Sequence, residues 1–203
     1  MSDEGHEEEV ETVLQGVGWT IAKTKDAGTM VPYPARPILV DGRLNYGWMD
    51  LRGRPDLVEQ IPEARESPAL SNLLRVIATS PMLMSSACEH ASFDRSGSDG
   101  PAWQAGAFII VEFLEAEKNT DPGQLIEFSK YVLGGIPPTE LHHIGFEMIV
   151  EPLKYFFGRR DCHALMMRPL GYGSTEGEAL AALEFAVNAI ADSIQRNREV
   201  KTP

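Results

Sequence analysis

A mainly antiparallel sheet built from repeated β-β-α units, with helices packed mostly on one face, is the α+β fold that this 203-residue sequence predicts. Three observations lead there. Two strand-like stretches, a loop and a capped helix recur along the chain, giving units at residues 36–80, 82–134 and 142–198. Each expected helix opens on a side chain suited to capping. The stretch at residues 103–115 (WQAGAFIIVEFLE) is apolar on both faces, the pattern of a central strand covered on each side.

The elements follow in order. The first eleven residues hold six carboxylates and no Lys or Arg, so residues 1–15 read as a flexible acidic tail and residues 16–203 as a single α+β domain. Residues 16–37 are rich in Gly, Pro and polar groups, and Pro32, Pro34 and Pro37 hold the segment extended. Residues 38–40 and 44–51 read as a hairpin around Asp41-Gly42, a dipeptide that tolerates the positive φ of a tight turn. A charged connection interrupted by Pro follows at residues 52–66. Ser67-Pro68 then opens a helix: the serine oxygen can accept an orphan amide, and proline is harmless at the first helical position. Leu70, Leu73, Leu74 and Ile77 form its apolar stripe, and Pro81 ends it.

Residues 82–93 alternate as a strand, residues 95–101 (RSGSDGP) make a loop, and residues 103–115 return. Asp121-Pro122 repeats the cap-plus-proline device, Leu125, Phe128 and Val132 supply a stripe, and Gly134-Gly135 close the helix. Strands are expected at residues 144–150 and 161–170, then a break at residues 171–175 (GYGST). Thr175 and Glu178 match a capping box, and Leu180, Leu183, Val187, Ile190 and Ile194 form the seam of the last helix. Ala179, Ala182, Ala186 and Ala189 keep the adjoining surface thin, which predicts close packing on a sheet or another helix.

Charge and composition narrow the function classes. Eighteen basic against thirty acidic residues give a formal charge of −12, which disfavours nucleic acid, because such binding rests on neutralising phosphates. No apolar run approaches the ~18 residues of a membrane span, and the start lacks the basic and apolar regions of a secretory signal. Cys88 and Cys162 are too few for a disulfide framework and read as free thiols of a cytoplasmic protein.

Four groups of residues could carry chemistry. Cys88, Glu89 and His90 sit in one expected strand, with His142, His143, Cys162 and His163 elsewhere. Imidazole and thiolate suit zinc, but no ligand pair has metal-site spacing, so neither a metal nor a cofactor is expected. Glu112 stands in an apolar strand, and Glu147 and Glu151 share one side of another. A facing Glu112–Glu147 pair could do acid/base work if their surroundings split their pKa values, while Arg168 is the charge partner in a purely structural arrangement. Residues 171–175 could offer amides to an anion, but the lysine of a phosphate loop is missing and Glu176 and Glu178 repel phosphate. Finally, Tyr46, Trp48, Arg52 and Arg54 in one stretch, and Tyr155, Phe156, Phe157, Arg159 and Arg160 in another, are the residue types that anchor protein interfaces.

The sequence thus favours a macromolecule-binding protein, an inhibitor or accessory factor whose protein partner has a basic surface and meets Tyr46, Trp48, Arg52 and Arg54. The competing reading is a hydrolase-type enzyme using Glu112 with Glu147, or His/Cys groups that include His90 and His142. Helices on one face would leave half of the strand at residues 103–115 bare. A homodimer is expected to cover it, or the Pro-rich segment at residues 31–38 folds over it.

Overall fold

The computed structural model describes residues 10–26, 28–35, 46–95, 100–137 and 143–199, without side chains beyond residue 196. Strands β1 (Val10–Gly16), β2 (Trp19–Thr24), β4 (Leu83–Asp94), β5 (Trp103–Phe113), β6 (Ile144–Pro152) and β8 (His163–Gly173) form one six-stranded sheet, in the order β1-β2-β6-β8-β5-β4. Neighbours are antiparallel except β2 and β6, whose parallel pairing joins two antiparallel blocks. Two short strands, β3 (Met30–Val31) and β7 (Tyr155–Phe156), pair separately. The helices are α1 (Pro62–Glu66), α2 (Pro68–Ala78), α3 (Pro122–Gly134) and α4 (Glu176–Glu199).

Strand alternation sorts the core into two clusters. Ile109, Val111, Met148, Leu165 and Met167 meet Leu73, Ile77, Leu125, Val132, Leu183, Val187 and Ile190 on the helix side. On the other side Met84, Ile110, Cys162 and Ala164 meet Val31, Leu153 and Phe156. The two-sided strand is therefore covered by helices on one face and by the chain's own loops and β3–β7 on the other.

The expected caps operate. Leu70 N–H donates to Ser67 Oγ at 3.1 Å, and Gly123 N–H to Asp121 Oδ1 at 2.9 Å. Glu178 N–H donates to Thr175 Oγ1 at 3.2 Å, while the Glu178 carboxylate reaches back to Ser174 N–H at 2.8 Å. That reciprocal pair is a capping box displaced by one residue.

Three expectations are corrected. Residues 10–15, assigned to the acidic tail, belong to β1, which pairs with β2 from Val10↔Thr24 to Gly16↔Trp19; β-sheet pairing outweighs the local charge there. The first hairpin is this β1–β2 pair and precedes the unit placed at residues 36–80. The Asp41-Gly42 turn and Leu44 lie outside the described residues, and residues 46–51 are not strand. Gly171 and Gly173 do not break the last strand: they extend β8 and let α4 close on it. A Cβ at either glycine would run into the backbone of Ala179.

Candidate functional site

The sheet face away from the helices holds the groups of interest. Ile109, Val111 and Phe113 face the helices, so Ile110 and Glu112 face the opposite side. Glu112 is wholly buried, a costly position for a carboxylate. Ser86 Oγ donates to Glu112 Oε1 at 2.6 Å. Ser86 can do so because the β4–β5 register shifts between Ser85 and Ala87, a bulge that re-aims its side chain. Glu112 Oε2 has no protein partner. Burial pushes the Glu112 carboxyl up to about 8; the Ser86 hydrogen bond opposes this and the negative charge of Glu151 adds to it.

Register decides which carboxylate accompanies Glu112. Glu151 pairs with Ala164, and Val111↔Leu165 places Glu112 beside Ala164 from the other flank. The two glutamates thus sit on one sheet face with the small Ala164 strand position between them, their backbones ~10 Å apart. Glu147 shares the face but lies four residues along β6, ~13 Å away, where Arg168 Nη1 meets Glu147 Oε2 at 3.0 Å. The expected Glu112–Glu147 pairing is replaced by Glu112–Glu151, and Glu147 has the structural charge partner named from the sequence.

Ser86 and Glu151 also line an open cleft of about 610 Å³, between this sheet face near β4 and the segments around residues 28–34, 46–51 and 60–63. Among the described residues its ionisable lining consists of Glu63, Glu89, Glu151 and Lys154, with the Tyr33 and Tyr46 phenols and the Cys88 thiol. Burial pushes Tyr33 up to about 12, reinforced by the charges of Cys88, Glu63 and Glu112. Cys88 is likewise pushed up to about 12, by burial and then by Glu63 and Glu89. Thr29 Oγ1, also on the cleft, is buried without a protein partner.

A second constellation adjoins the cleft. The ring centroids of Trp48 and Phe157 lie 5.3 Å apart, edge to face, and Phe156 and Phe157 are 5.1 Å apart. The Arg52 guanidinium carbon stands 5.2 Å from the Phe157 centroid and 5.9 Å from that of Trp48. Asp50 grips Arg52 through Nε at 2.8 Å and Nη2 at 2.6 Å, which lowers the Asp50 carboxyl. Residues more than one hundred positions apart are brought together by the β3–β7 pairing, Met30↔Tyr155 and Val31↔Phe156. Phe157 and Gly158 have φ of 43° and 98° and close a tight hairpin bridged by Phe156 and Arg159. Phe157 is 42% exposed and Tyr46 63%. Arg54 is turned to Asp56 at 3.8 Å.

The remaining candidates scatter. His90 Nε2 lies 3.4 Å from Glu66 Oε2, and Cys88 packs against the helix-side core. His142 is outside the described residues, and His143 is exposed. Cys162 is buried in the second cluster, while His163 Nδ1 is 3.3 Å from the Asn119 carbonyl. Both cysteines are free. Among the described residues no group of three or more His, Cys, Asp or Glu is disposed to hold a metal ion, and no helix is long and apolar enough to cross a membrane.

Sequence reasoning missed Ser86, Tyr33 and Glu63, and did not couple Glu151 to Glu112. Glu151's position two residues beyond the apolar Ile149, on the Glu147 side, was the available signal for its face; strand register was not. No family model, no curated protein and no solved structure matches the chain.

Proposed function

We propose that this chain is a macromolecule-binding protein, an inhibitor or accessory factor that docks a protein partner on the Trp48–Arg52–Phe157 face. One observation carries the reading: two distant segments converge to present a stacked aromatic–guanidinium cluster that is partly exposed. Aromatic rings and arginine dominate interface energetics because they bury large area while satisfying polar atoms. Arg52 is already oriented by Asp50, so docking costs little of its rotamer freedom. Phe157 holds a left-handed conformation that costs a non-glycine residue about 1–3 kcal/mol, which supports retention of the ring for what it contacts. The net charge of −12 supports a partner with a basic surface. Two free thiols support a reducing, cytoplasmic setting.

Affinity capture with the intact chain as bait tests the reading. A partner retained by wild type and by Phe185→Ala, on the outer side of α4, should be lost with Phe157→Asn and with Arg52→Ala. Equal recovery by all four baits would remove this face from the interface.

The hydrolase reading finds support in one place, the raised carboxyl of Glu112 behind the cleft that Glu151 lines. It would use Glu151 in place of Glu147. The thiol on the cleft, Cys88, is held far from its nucleophilic form at neutral pH, and His90 is turned to Glu66.

A further inference from the structure

Glu112 stands inside the second core cluster. The β4–β5 register sets it opposite Met84, the β5–β8 register sets it level with Ala164, and both neighbours belong to that cluster. Val31 and Phe156 cover the cluster and pair with each other where β3 meets β7. Each of these covering strands is 2 residues long, whereas β5 is flanked by β4 and β8 in the main sheet. Besides the β3–β7 ladder, backbone bonds tie the 28–34 segment to the chain at three points. Gly28 N–H donates to the Pro152 carbonyl at 2.8 Å, Lys154 N–H to that of Thr29 at 3.0 Å, and Phe157 N–H to that of Val31 at 2.8 Å. Trp48 N–H joins the same segment at the Tyr33 carbonyl, at 3.0 Å. Both aromatic halves of the docking face therefore hang on the 28–34 segment. A short element held in this way opens at lower free energy than the sheet beneath it.

Beneath this cap Glu112 is wholly buried; Ser86 Oγ bonds its Oε1 at 2.6 Å, and its Oε2 has no partner. The titratable groups around it, among the described residues, are Glu151 from β6, Tyr33 from the 28–34 segment and the Cys162 thiol at the head of β8. Glu63, Glu89, Cys88 and Lys154 face the cleft alongside, and Glu147 and Arg168 pair with each other further along the sheet. Glu151 acts on Glu112 as a charge and favours its neutral form. An ionised carboxylate in this position is desolvated with one hydroxyl for support, and water admitted through an opened cap relieves it. We infer that the proton on Glu112 is the latch of the β3–β7 cap: the neutral carboxyl lets Val31 and Phe156 close over it, and loss of the proton opens the cap and disperses the Trp48–Arg52–Phe157 face. The inference rests on the docking reading for its use, as a regulation of that face, and is tested on the chain alone.

The proton balance fixes the sign of the effect. Opening moves Glu112 from a site that keeps its proton up to about 8 into water, where the ordinary value is 4.5. Opening therefore releases a proton, and the open fraction grows about tenfold per pH unit between about pH 5.5 and 7.5. Hydrogen exchange on the intact, isotopically labelled chain, corrected for the intrinsic rate at each pH, reads this opening. The amides of Phe157, Lys154 and Trp48 should lose protection about tenfold per pH unit across that range. They should start well below Val187 and Ile190, buried in α4, which exchange by global unfolding. In Glu112→Gln the same three amides should keep one level of protection throughout. Amides of the β1–β2 hairpin, which fray without uncovering Glu112, should be flat in both proteins. Wild type alone keeps the test open if Glu112→Gln fails to fold. Flat protection at the three amides would mean that the cap opens without hydrating Glu112, and protection equal to that of α4 would mean that it does not open by itself; either overturns the latch. An undiminished slope in Glu112→Gln would overturn it too, by passing control to another group. A slope at Phe157 and Lys154 with none at Trp48 would overturn the regulation of the docking face. Failure to capture a partner, in contrast, counts against the docking reading and leaves these slopes as they are.

Discussion

Ser86 Oγ and Glu112 Oε1 are 2.6 Å apart in the wholly buried space between β4 and β5. A single hydroxyl cannot replace the hydration of a carboxylate, so Glu112 is held protonated up to about 8, against an ordinary 4.5. The groups around it agree in sign: Glu151 across Ala164 and the Tyr33 phenol offer no positive charge.

This shift makes a stability prediction with a definite sign. Below pH 4.5 the carboxyl is protonated folded and unfolded, and it contributes no pH dependence. Between 4.5 and about 8 the unfolded chain has lost the proton and the folded chain has kept it. Folding therefore binds a proton, and stability falls as pH rises. The slope from this group is at most about 1.4 kcal/mol per pH unit. Glu112→Gln, which keeps the shape and has no proton to lose, should match wild type near pH 4 and exceed it near pH 8. Urea melts of both proteins across this range check it, and parallel curves would place Glu112 in a solvated or cation-paired setting.

Phe157 occupies a turn position at which Asn is preferred, because both central residues need positive φ. Phe157→Asn should relieve about 1 kcal/mol of backbone strain and lose a comparable contribution from packing on Trp48 and Phe156. Its melting midpoint should stay close to wild type. Trp48→Ala, in contrast, removes a ring packed against the second core cluster and should cost about 3 kcal/mol or more. A large loss of stability in Phe157→Asn would mean that the ring is a structural rivet, and the docking face would then rest on Arg52 and Tyr46.

The contrast between what was legible and what was not has a physical basis. Helices α2, α3 and α4 were legible because caps and stripes are local: Ser67, Asp121 and Thr175 act within one turn of themselves. The two-sided character of β5 was legible for the same reason. Register was not, since nothing within β5 or β6 says that Glu112 meets the level of Glu151 and not that of Glu147. The β4 bulge that turns Ser86 toward Glu112 is likewise a property of the pair, not of either strand. The aromatic–arginine residues were legible as types, but their convergence depends on β3 meeting β7. In β1, tertiary pairing overrode a local sequence whose charge spoke for solvent.

Covering of the second sheet face by Val31, Leu153 and Phe156 removes the sheet-face argument for a dimer. Sedimentation equilibrium at micromolar protein should accordingly return 22.4 kDa without concentration dependence. A mass that doubles with concentration would direct attention to other apolar residues on the surface, Phe185 on α4 and Val10 on the edge strand β1.

The packing of α4 on β8 gives the sharpest test of the fold. Gly171 and Gly173 lie where the backbone of α4 comes closest, and a Cβ at Gly171 would be driven into the Ala179 carbonyl oxygen and the Leu183 amide nitrogen. Both obstacles are backbone, so no side-chain rotamer can relieve the clash; the helix must move off the sheet. Ala179 and Ala186, fully buried on the facing side, would then lose contact with it. Gly171→Ala should cost about 3 kcal/mol, the upper part of the range for overpacking. Gly177→Ala provides the internal comparison: it lies in the first turn of α4 with open space around its Cβ position. That change should be neutral or stabilise by up to about 1 kcal/mol through helix propensity. Urea denaturation of the two alanine variants beside wild type reads both effects at once. Equal stability of the two variants would mean that α4 stands further from β8 than these glycines require.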